Sequence, residues 1–286
     1  MTLYSCITCL ETIIYKLQTR ITEVSTQESA FSMLSSLVEH VSFEFLDPHM
    51  VSIWKILFGR LQALVRSRWE DTFASYLMRF ISLFLVNYGA DNFYESIIKS
   101  TQEKQFTDFL RHFWVHNLNL TKWACEPNLI AVASTKLICE DKLLREKQTL
   151  WCAFLHCTIV LLHEMDTCGP QKVQSAVSAV CLQYASYSSF DPSRNIIAKE
   201  YFVASFSTLL EHCSAVFVPI IEKHISAGNK SFLLQKLASY NVPLVHSEQS
   251  NHAACLLVAW APAAWQANES QPQAHKIVRL GALPGG

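Results

Sequence analysis

Glycine is scarce in this chain, at seven residues in 286. Loops that cradle phosphate need glycine because the backbone must approach the anion closely, and neither a GxxxxGK[ST] loop nor a GxGxxG turn occurs. Nucleotide enzymes built on those loops are excluded. Gly-x-Ser-x-Gly is missing too, as is a local cysteine–histidine signature of a thiol hydrolase. No useful length of chain alternates apolar and polar residues, as a half-buried strand would. Charge is also sparse: 16% of residues carry it, and the net value is −1. General binding to nucleic acid or to an anionic membrane calls for a basic excess, so neither is expected.

Apolar residues are what the chain has, at 50% of the total. Its length suffices for one large domain or two ordinary ones. Ten cysteines are scattered (6, 9, 125, 139, 152, 157, 168, 181, 213 and 255), mostly inside apolar helical runs where a thiol acts as a small hydrophobe. Met1–Cys9 lacks a basic start and Glu11 interrupts its apolar character, so no secretory signal is expected. The chain reads as soluble and intracellular, in a reducing compartment, and the sequons at Asn119, Asn229 and Asn268 read as chance matches. Leu150–Leu162 and Ala253–Trp265 are too short to span a bilayer, and Pro262 breaks the second.

Helical spacing runs through most of the rest. Ile53, Trp54, Leu57, Phe58, Leu61, Leu64 and Val65 make one stripe. Phe73, Tyr76, Leu77, Phe80, Ile81, Phe84, Leu85 and Tyr88 make the next, and Leu150–Leu162 a third. Proline at the first helical position marks starts at Asp47-Pro48, Glu126-Pro127, Gly169-Pro170 and Asp191-Pro192. Gly89 and Gly228 sit where helices would close. Pairing the helices puts first helices near Ser29, Asp71, Asn128, Pro170 and Cys213, with steps of roughly 42 to 44 residues and one near 57. That spacing predicts an all-α solenoid of HEAT-like helix pairs. Residues 1–26 form an incomplete leading helix, 27–245 the repeats, and 246–286 a poorly ordered tail rich in alanine, proline and glutamine.

Candidate chemistry is thin. Cys6-x-x-Cys9 has no second half for a zinc site and no βαβ context for redox work. Cys152, His156, Cys157 and His163 share helical spacing, but among Trp151, Phe154 and Leu155 they read as a packed face, not a metal site. Glu70-Asp71 and Glu140-Asp141 read as solvated charges at helix ends. Arg60, Arg66, Arg68 and Arg79 read as a charged loop between helices; contact with an acidic protein is the sharper alternative. No catalytic, cofactor or metal residue is expected. Second helices would present Lys55, Gln62 and His156 to a partner.

Phe45-Leu46-Asp47-Pro48-His49, followed by Ile53-Trp54-Lys55-Ile56-Leu57-Phe58-Gly59-Arg60-Leu61-Gln62, resembles the C-terminal region of the exportin-2 family (cellular apoptosis susceptibility proteins) in the importin-β superfamily. The phenylalanine-rich helix ending at Tyr88-Gly89, Ala30-Phe31-x-x-Leu34, Thr135-Lys136-Leu137 and Leu150-Trp151 continue the series in order. The resemblance covers Gln27 to about Val245. It implies a HEAT-repeat nuclear transport receptor that binds importin-α together with GTP-bound Ran, works in nucleus and cytoplasm, and catalyses nothing. It assigns no contact residue. Family members are several times longer, and the last forty residues match nothing in them, so the chain is expected to be a fragment or short form. A HEAT scaffold or regulatory subunit outside nuclear transport is the alternative.

Overall fold

The structure, a computed structural model, describes residues 12–17, 19–21, 23–66, 71–119, 126–167 and 196–241. The chain divides into two compact units, Met1–Tyr240 and Asn241–Gly286, and the description concerns the first. Among the described residues there are helices and no strands. After a 3-10 turn at Val24–Thr26 come α1 (Gln27–His40), α2 (Phe43–Arg66), α3 (Asp71–Ile98) and α4 (Glu103–Phe109). A π-helical turn, Leu110–Trp114, leads into α5 (Val115–Asn119). Then follow α6 (Pro127–Glu140), α7 (Lys142–Glu146), α8 (Gln148–Thr167), α9 (Ala198–His224) and α10 (Ala227–Asn241).

The helices stack in two layers. α1 packs on α3, α3 on α6, and α6 on α9. The second layer runs through α2, the α4–α5 segment, α8 and α10; α5 packs on α8, and hydrogen bonds and ring contacts tie α8 to α10. The pairs are therefore α1/α2, α3/α4–α5, α6/α8 and α9/α10. This is an all-α, HEAT-type helical-repeat solenoid. Each apolar stripe is buried against a neighbour, which is why a sequence of modest amphipathic helices holds together.

Aromatic rings make the core between the layers. Trp54, wholly buried, lies 5.6–5.8 Å from the rings of Phe80, Phe84 and Phe93, and its indole N–H donates to Ser96 Oγ at 2.8 Å. Trp151 does the same further along: it stacks on Phe217 at 4.5 Å and donates to the Ile138 carbonyl at 3.0 Å. Apolar burial and a satisfied N–H act together at both positions. At the end of α1, Tyr88 Oη donates to the Val38 or Val41 carbonyl, at 2.9 and 2.5 Å, so a tyrosine of α3 serves carbonyls the helix end cannot satisfy itself.

Several boundaries differ from the sequence expectation. α2 begins at Phe43, not at Pro48, which lies inside it. Phe45 and Leu46 N–H already bond the Ser42 carbonyl, and the Phe43 ring meets Phe84 and Tyr88 at 6.0 and 5.4 Å. That ring packing outweighs the single backbone bond the proline removes. Asp47 accordingly pairs with Lys99 at 2.6 Å. Cys213 breaks α9: its backbone leaves helical geometry (φ −135°, ψ 25°) and separates two helical halves, with Phe206 and Leu209 buried before it and Phe217 and Ile220 after, so a helix does begin next to it as the spacing predicts. Gly228 lies in the first turn of α10.

Gly89 does break its helix, at φ 85°, splitting α3 into two differently directed halves. Pro127 sits in the first turn of α6 as expected. Pro170, Asp191-Pro192, Cys6, Cys9 and the 246–286 tail lie outside the described residues. Among the described residues one helix, α9, is long and apolar enough to cross a membrane by length and composition. It carries Pro219 and the Cys213 kink, and Phe202, Phe206 and Phe217 are buried within the stack.

Candidate functional site: a groove between second-layer helices

The residues singled out for chemistry do not converge. Cys152 is buried, and burial pushes its thiol up to about 11, away from the reactive thiolate. Cys157 is buried as well. His156 Nδ1 lies 2.9 Å from Asn229 Nδ2 on α10, and the exposed His163 ring meets Phe232 edge-on at 5.0 Å. Among the described residues no three His, Cys, Asp or Glu side chains are placed to hold a metal ion. The two histidines tie α8 to α10, and the two cysteines are buried.

Glu140, 38% exposed along its side chain, ends α6 and pairs with Lys136, but Asp141 is not a solvated helix-end charge. Asp141 is 2% exposed and its Oδ1 accepts from Leu144 N–H at 2.6 Å, capping α7. Burial pushes its carboxyl up to about 6; the Leu144 bond and Arg145 oppose this, while Asp91 adds to it. The folded protein therefore holds this proton more tightly than the unfolded chain. That contribution to stability is complete below pH 3.8 and is lost as pH rises through 6. The loss amounts to about 3 kcal/mol for two pK units. Asp141→Asn keeps an oxygen for the Leu144 N–H but cannot ionise. Urea denaturation at intervals from pH 4 to 7 should show the native protein losing stability relative to this variant; parallel curves would contradict the assignment.

Of the arginines expected to share a surface, Arg68 and the side chain of Arg66 lie outside the described residues, and Arg79 turns inward. Arg79 is 8% exposed and bonds Glu126 Oε1 and Ser35 Oγ, each at 3.0 Å, joining α1, α3 and the approach to α6. Of the side chains expected to face a partner, Lys55 and Gln62 are exposed, while His156 is half-buried against Asn229.

Gln62 borders a groove of about 300 Å³ between the end of α2 and the α4–π segment. Phe58 and Leu61 form one wall, Phe106, Phe109 and Phe113 the other, and Gln105, Asp108 and His112 stand along it. Phe58 meets Phe109 edge-on at 5.1 Å, and Phe109 stacks on Phe113 at 5.0 Å. The π turn sets this wall. Val115 N–H bonds the Leu110 carbonyl five residues back, so the extra residue rotates the side chains that follow Phe109. Such single turns recur at functional positions. Apolar spacing predicts the two helices but not the π turn, so the groove was not legible in the sequence.

The described residues form a HEAT-type stack of helix pairs with an open groove along it. Residues 8–236 match the family model described as CAS/CSE protein, C-terminus, and the chain belongs to that family. It is 25% identical to Exportin-2 of Pagrus major over 244 residues, covering 80% of this chain and 24% of that protein. It is 30% identical to Exportin-2 of Homo sapiens over 154 residues (52% and 15%), and 19% identical to that of Dictyostelium discoideum over 217 (70% and 22%). The chain thus spans about a quarter, or less, of the length of these relatives. No solved structure matches it.

Proposed function

We propose that this chain is a protein-binding part of a nuclear transport receptor, which takes part in returning importin-α from nucleus to cytoplasm together with GTP-bound Ran. The reading rests on the CAS/CSE match over residues 8–236 and on relatives named Exportin-2. A solenoid suits the task because it offers extended surface for many weak contacts, with no chemistry of its own. The binding repeats are residues 27–245, and the receptor works in both compartments. The test is capture of purified importin-α on the immobilised chain, with Ran loaded with a non-hydrolysable GTP analogue or with GDP. Stronger capture with the GTP analogue is expected. Indifference to importin-α and to Ran would place this chain among HEAT scaffolds outside transport.

A further inference from the structure

Among the described residues the groove beside Phe58 has one charged side chain along its wall, Asp108. It is half-buried, and among the described residues its carboxylate has no ion-pair or hydrogen-bond partner. The rings of Phe58 and Phe109 meet edge-on in the same groove, and the exposed Gln62 lines it from α2. Aromatic rings with an unengaged carboxylate and an amide oxygen suit a cation carried on an apolar stem. A purely apolar occupant would strip water from Asp108 and give nothing back. An acidic one would meet like charge. A cofactor of ordinary size would strain a cavity that lies at the bottom of the range for small-molecule pockets.

We propose that this groove takes a basic side chain, arginine in preference to lysine, from an extended segment of a partner protein. The aliphatic stem lies along Leu61, the guanidinium plane lies against the half-buried Phe58 ring, and its N–H donors reach Asp108 and the Gln62 carbonyl oxygen. Arginine is preferred because its planar fork both stacks on a ring and offers paired donors to a carboxylate, whereas lysine offers a compact, strongly hydrated charge. This assignment identifies the partner only by the side chain it presents and does not rest on the export reading.

The test is a nuclear magnetic resonance titration of the full isotope-labelled chain with the blocked peptide acetyl-(Gly-Arg)4-amide. Its citrulline counterpart, of the same shape without charge, and its lysine counterpart are run beside it. Saturable shifts confined to the amides around Gln62, Asp108 and His112 are expected, weaker with lysine and lost with citrulline. Asp108→Asn should weaken the arginine peptide about tenfold, as losing one charge-assisted bond would. Gln62→Ala, at an exposed position, should weaken it by a smaller factor without touching the fold. Equal binding of the citrulline peptide, undiminished binding to Asp108→Asn, or shifts elsewhere on the chain would each overturn the proposal. An importin-α capture that fails while this titration succeeds would leave the groove intact and remove only the export reading.

Discussion

Trp54→Ala should cost about 4 kcal/mol of stability, the scale of a large aromatic removed from a packed core. Three phenylalanine rings from α3 surround the indole, and two lie before the Gly89 kink while Phe93 lies after it. Truncation therefore loosens both halves of α3 against α2 at once. It also leaves the buried Ser96 hydroxyl without its indole donor. Trp54→Phe separates the two effects: the ring contacts largely survive, the N–H does not, and the cost should fall to about 1–2 kcal/mol. Urea denaturation of the three proteins measures both steps. A loss below 1 kcal/mol for the alanine variant would mean the layers are held elsewhere.

Glu126→Ala should be nearly as damaging, at about 3 kcal/mol. The Arg79 guanidinium is already out of water, so removing the Glu126 carboxylate leaves its charge poorly compensated while the cost of its burial remains. The informative comparison is the double variant Arg79→Leu, Glu126→Leu. An apolar pair of similar bulk carries no such cost, so the double variant should regain most of what the single change loses. If it is no better than Glu126→Ala, the two residues act through packing and not through charge.

How much of this could be read from the residues varies by element. Helix identity was plain because the stripes around Trp54, Phe80 and Trp151 keep the 3.6 period over many turns. The break at Gly89 was plain as well, since a positive φ favours glycine. Starts and stops were misread where tertiary contact overrides local signals: Phe43 packs on Phe84, so helix forms five residues ahead of Pro48. The break at Cys213 was given by the repeat spacing alone, since no glycine or proline stands between Phe206 and Phe217 to mark it. The groove was hidden for a different cause. Its shape depends on the extra residue in the π turn, and no sequence period announces it. Asp141 likewise read as surface, because whether a charge at a helix junction is wet depends on what packs over it.

Asn128 gives the stack a direction in time. Its side chain accepts from Ala198 N–H at 2.9 Å and donates to the Ile196 carbonyl at 2.8 Å, so it stands in for the cap that Ile197 cannot supply at the start of α9. The residue that ends up closing this helix is made 70 residues earlier. A ribosome-bound chain therefore presents a finished α6 before α9 leaves the tunnel, and the later helix is ordered against a template already in place.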